Sequence, residues 1–97
     1  MSNESSSEEG WQAFIELCGF FKKKEELEEL FDLFFTLEEK EDMAKRFTIL
    51  KALLDEELTQ REIAEKLGVS ISKITRGSNA LKIISRDLRE ALKKAMA

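Results

Sequence analysis

The side chains available for chemistry narrow the field quickly. There is one cysteine, Cys18, and no histidine among the 97 residues. Zinc sites of the Cys/His type and histidine-based triads are thereby excluded, and no nucleophile–base pair stands out. Carboxylates are plentiful, but they fall in runs such as Glu25-Glu26, Glu28-Glu29 and Glu38 to Asp42. That is the spacing of solvated helix faces. The chain therefore reads as a non-enzyme without a catalytic or metal site. What remains is cations. Between Leu58 and Leu92, Arg61, Lys66, Lys73, Arg76, Lys82, Arg86 and Arg89 stand against Glu62, Glu65, Asp87 and Glu90, a surplus of three in a chain whose net charge is −4. Such a patch suits the phosphates of duplex DNA.

These cations need a scaffold, and residues 59–79 describe one. Thr59 and Glu62 have the spacing of a capping box. Ile63, Ala64 and Leu67 then share one face of a helix about two turns long. Gly68 follows, where a helix end calls for a left-handed residue. Ser70 is placed to cap a second helix whose inner stripe starts at Ile71 and Ile74. Two short helices joined at a glycine turn form a helix-turn-helix, here spanning residues 60–84.

The remainder reads as helix throughout. There is no proline and no alternating apolar pattern. Residues 1–9 read as a flexible acidic arm and 10–97 as a single domain. A first helix is predicted from about Glu8 to Lys22, with Trp11, Phe14, Ile15, Leu17, Cys18 and Phe21 apolar. A second runs from about Glu25 to Phe34 and is apolar on most of its circumference. So short a chain has little interior to cover such a helix, which predicts a homodimer. Thr36 is placed to cap a third helix, Leu37 to Glu57, with Glu39 as partner. Its core stripe is Met43, Phe47, Leu50 and Leu54, with Arg46 at the edge. Ser85 can cap a last helix. No apolar run reaches the ~18 residues of a membrane span, so a cytoplasmic protein is expected.

The segment Ile74-Thr75-Arg76-Gly77-Ser78-Asn79-Ala80-Leu81-Lys82 resembles the signature of the tryptophan-responsive repressor family. Gln60-Arg61-Glu62 and the long helix opening Leu37-Glu38-Glu39 and containing Arg46 are similar too. The resemblance covers Trp11 to the C-terminus. It implies an all-α fold of about six helices in an intertwined homodimer. It also implies L-tryptophan as corepressor, with no other cofactor, and repression of tryptophan biosynthesis or transport genes.

Carried over by position, Arg46 and Arg76 flank the indole ring, an arrangement in which guanidinium planes stack well. Arg76 also suits the ligand carboxylate. Thr36 matches a ligand-contacting hydroxyl. Leu33 and Phe35 match positions whose carbonyls receive the ammonium, at a helix end that carries negative dipole. Gly77 matches a close approach of ligand to backbone. Ala80 stands where relatives carry a serine near the amino group, which removes one polar contact, about 1 kcal/mol, and relaxes discrimination toward other indole compounds. Lys73 replaces a small polar residue at the rim. For operator DNA, Gln60, Arg61, Ile71, Ser72, Lys73 and Thr75 match the contacting edge, and Lys82 a phosphate contact. Tryptophan is then expected to prop the second helix of each subunit for successive major grooves. Two alternatives stay open: a helix-turn-helix regulator answering to another ligand, and a helical dimerisation module without DNA binding, which the net charge favours.

Overall fold

With no proline to interrupt it, the chain forms, among the described residues, six helices and no strand. The computed structural model describes residues 3–97, with side chains from residue 6. Met1 and Ser2, the tip of the expected arm, lie outside the described residues. The chain divides into two compact units, one ending at Leu37 and the other running from Glu38 to Ala97.

The first unit holds α1 (Asn3–Phe20) and α2 (Lys24–Phe34). α1 begins five residues earlier than Glu8, so most of the stretch read as an arm is helical. Nothing between Asn3 and Glu9 breaks a helix, and acids near its start favour the positive dipole end. Phe14 gathers the aromatic rings. Its centroid lies 5.0 Å from Phe34, 5.8 Å from Phe35 and 5.8 Å from Trp11. The Phe34 and Phe35 contacts are edge-to-face, the arrangement that ring quadrupoles favour. Even so, no residue of α2 is buried, and Leu33 is 78% exposed.

In the second unit, α3 (Leu37–Asp55) precedes α4 (Gln60–Leu67), α5 (Ile71–Ile83) and α6 (Arg86–Ala95). Ile49 of α3, Ile63 and Ala64 of α4 and Ile74 of α5 form the core, with Leu53, Leu58, Leu67 and Val69 packed around it. Ile74 is fully buried and Ile63 is 1% exposed. The stripe expected on α3 is covered only at its C-terminal end. Leu54 is buried and Leu50 half-buried, while Met43 and Phe47 remain exposed. Periodicity identified an apolar face; how much of it the short helices cover was a separate matter. α3 ends at Asp55, two residues short of Glu57, because Glu56 turns into the left-handed region at φ 56.

Local chemistry sets the helix-turn-helix boundaries. The Thr59 hydroxyl accepts from the Glu62 N–H at 3.2 Å, and the Glu62 carboxylate accepts from the Thr59 N–H at 2.9 Å, closing the capping box. At the other end of α4, Gly68 adopts φ 65, donates to the Glu65 carbonyl, and Val69 donates to the Ala64 carbonyl. That pair of bonds is a Schellman motif. Ser70 precedes α5 but does not cap it with its side chain; its hydroxyl pairs with that of Ser72 at 3.1 Å. Ser85 accepts from the Leu88 N–H as expected.

Hydrogen bonding from Thr59 to the carboxylate, by its backbone N–H first and its side chain second, holds the Glu62 carboxyl below its ordinary value of 4.5. A lowered folded-state pKa adds stability that is present above the ordinary carboxylate range and disappears as pH falls through the folded value. Thr59→Ala is expected to cost about 1 kcal/mol in urea unfolding at neutral pH. Glu62→Gln should flatten the acid limb of stability against pH below 4.5.

Candidate functional site

The shape of the site follows from how closely α5 lies on α3. A Cβ built on Gly77 would stand 3.3 Å from Ile49 Cγ2, 3.3 Å from Leu53 Cδ1 and 3.7 Å from Leu50 Cδ2. The missing side chain at Gly77 therefore lets the two helices meet. Beside this contact opens a hollow of about 460 Å³, within the ~300–1,000 Å³ of small-molecule sites. Asp42, Lys45, Arg46, Ile49 and Leu50 line it from α3, Val69 from the turn, and Lys73, Arg76, Gly77 and Ala80 from α5.

Arg46 and Arg76, thirty positions apart in the chain, thus border one cavity. Its apolar surface comes from Ile49, Leu50, Val69 and Ala80, and its charge from Lys45, Arg46, Lys73 and Arg76 against Asp42. Among the described residues the side chains of these four cations make no ion pair or hydrogen bond, and all four are exposed. An apolar base ringed by donors suits a ligand with a flat apolar body and an anionic group. Leu33, Phe35 and Thr36 belong to the first unit, at the end of α2 and just past it. Phe35 is extended, and its N–H donates to the Phe31 carbonyl at 2.8 Å.

The residues matched to DNA contacts lie on α4 and α5. Arg61, Ile71, Ser72, Lys73, Thr75 and Lys82 are exposed and Gln60 is half-buried. The Thr75 hydroxyl lies 3.3 Å from Gln60 Oε1 and 3.1 Å from the Ile71 carbonyl. One hydroxyl thereby ties the start of α4 to α5. No acid occurs on α5, and on α4 Glu62 is engaged by its cap. Arg89 is partly engaged within the chain: its Nη1 donates to the Leu81 carbonyl at 2.8 Å and closes the end of α5.

Comparison with known proteins decides the family. The model of the Trp repressor protein matches residues 9–96. The chain belongs to the Trp repressor family. A Trp operon repressor homolog of Chlamydia trachomatis serovar D is 53% identical over 91 residues, covering 94% of this chain and 97% of that protein. The homolog of Chlamydia caviae is 56% identical over 90 residues, 93% of this chain and 89% of its own length. That of Vibrio cholerae serotype O1 is 42% identical over 82 residues, 84% of this chain and 80% of its own. Trp repressors are transcriptional repressors, so the chain is placed among regulators.

Against the Trp repressor motif, sequence reasoning missed apolar Ile49, Leu50 and Val69 and charged Asp42 and Lys45 as lining residues. Asp42 and Lys45 sit in a charged run that reads as a solvated face, and only the approach of α5 turns that face into a wall. Gly77 carries a steric demand of its own. Gly77→Leu is expected to lower the urea midpoint, with a loss on the order of 1–3 kcal/mol from overpacking, while far-ultraviolet circular dichroism keeps its helical shape.

Proposed function

We propose that the protein is a tryptophan-dependent repressor that binds operator DNA as a homodimer through α4 and α5. The observation that carries this reading is the meeting of Arg46 and Arg76 on one hollow whose second wall is α5, the helix that also bears Ser72, Lys73 and Thr75. In this reading the indole ring stacks between the two guanidinium planes, and Arg76 takes the carboxylate. By the family motif, the carbonyls of Leu33 and Phe35 and the Thr36 hydroxyl are carried over as further polar contacts of the ligand. Gly77 and Ala80 leave room beside the ring.

DNA recognition then falls to the exposed edge of the motif. Lys73 and Ser72, in the first turn of α5, approach base edges, and exposed Ile71 offers an apolar surface of the kind a thymine methyl accepts. Gln60, Arg61, Thr75 and Lys82 hold the backbone. Ligand bound between α3 and α5 biases the motif toward the operator-competent arrangement, and operator must tighten tryptophan binding by the same factor. The genes controlled are those of tryptophan synthesis or uptake, and the protein works in the cytoplasm.

A second copy of the chain is part of this reading. Trp11, Leu33, Phe34, Met43 and Phe47 are all exposed, too large an apolar surface to leave in water. Sedimentation equilibrium at micromolar concentration is expected to give twice the chain mass; a monomer would contradict the dimer.

For the repressor itself, fluorescence anisotropy on DNA from upstream of the gene should show tighter binding with tryptophan present. The affinity should fall steeply with salt. Arg76→Ala is expected to abolish the tryptophan response and leave weak, ligand-independent binding. Normal response in that variant would remove the stacking role of Arg76.

A further inference from the structure

We infer that Thr75 acts on DNA through Gln60: its hydroxyl holds the Gln60 carboxamide with the NH2 group outward, as a donor for a backbone phosphate. The inference rests on the DNA reading above and deepens it by coupling two of its residues. Ile63 of α4 is 1% exposed and Ile74 of α5 is fully buried, so packing fixes how the two helices cross. At that crossing Thr75 Oγ1 lies 3.3 Å from Gln60 Oε1, fifteen positions away in the chain, and 3.1 Å from the Ile71 carbonyl.

A hydroxyl has one proton to donate. The Ile71 carbonyl already accepts the helical N–H of Thr75, whereas Gln60 Oε1 has no other donor among the described residues. The proton therefore goes to Gln60. With its oxygen turned toward Thr75, the amide turns its NH2 the other way, and among the described residues no acceptor takes that group. Both ends of the link are stiff. Thr75 is β-branched and so restricted at χ1. Gln60 is half-buried and follows Thr59, whose capping box with Glu62 sets the start of α4. A donor held in place before binding loses little freedom when it meets its acceptor. The first helix of such a motif crosses the DNA backbone, where phosphate oxygens only accept. The outward NH2 matches that partner.

The test is fluorescence anisotropy of the whole chain on duplex DNA from upstream of the gene, with tryptophan present. Thr75→Val, which keeps the shape of the side chain but not its hydroxyl, is expected to weaken binding about fivefold. Thr75→Ser should recover most of that loss. Thr75→Val and Gln60→Ala should both leave the salt slope as in wild type, because neither removes a cation. In the Gln60→Ala background Thr75→Val should add no further loss. Gln60→Glu keeps an acceptor for Thr75 but sets an anion against the phosphate, and should bind more weakly than Gln60→Ala. No loss in Thr75→Val, additive losses in the double variant, or Gln60→Glu binding at least as tightly as Gln60→Ala would overturn the inference while leaving DNA binding itself intact. Wild-type protein that does not bind the duplex would overturn the DNA reading and this inference with it.

Discussion

Two helices can approach as closely as α3 and α5 do only where one has no side chain in the way. Gly77 supplies that gap, and Ile49, Leu50 and Leu53 fill it. Ile74, three residues earlier and fully buried, anchors the same face of α5. Together they fix the rotation of α5 about its axis. That rotation determines that Arg76 and Ala80 border the hollow while Thr75 turns toward Gln60. A bulkier residue at position 77 would widen the helix separation, and the distance between the walls carrying Arg46 and Arg76 would change with it.

The helices around this contact are short. α4 has 8 residues and α5 has 13, near or below the length at which an isolated helix holds in water. Their ends therefore contribute a large share of their order. The capping box at Thr59 satisfies donors at the start of α4, and the Schellman bonds of Gly68 and Val69 satisfy acceptors at its end. Packing supplies the rest through Ile63 and Ala64. The first unit is held differently, by rings clustered on Phe14 with much apolar surface still uncovered.

Where an element depends on chemistry within four or five residues, the sequence already disclosed it. Thr59 with Glu62, Gly68 and Ser85 each behave as their neighbours dictate. Ser70 departed because a hydroxyl two residues on, Ser72, competes for it. Met43 and Phe47 departed because apolar spacing marks a face without saying how far its partner extends. Asp42 and Lys45 were hidden for a related reason: only tertiary approach turns a charged helix surface into a cavity wall. Arg46 and Arg76 were paired by the family motif rather than by their spacing, since thirty intervening residues hold no local record of a shared border. Gly77 was read as a close approach of ligand to backbone; it lines the hollow, and the structure adds that side chains of α3 come close to the same position.

Arg89 links α5 to the tail of the chain. Its guanidinium closes the Leu81 carbonyl from α6, so the last turn of α5 is finished by a residue that lies outside it. Fraying that starts at the C-terminus would first withdraw that donor and then loosen the turn bearing Lys82. Damage to the tail, such as proteolytic trimming, would thus be felt along the exposed edge of α5 at Lys82, although the tail forms no part of that edge.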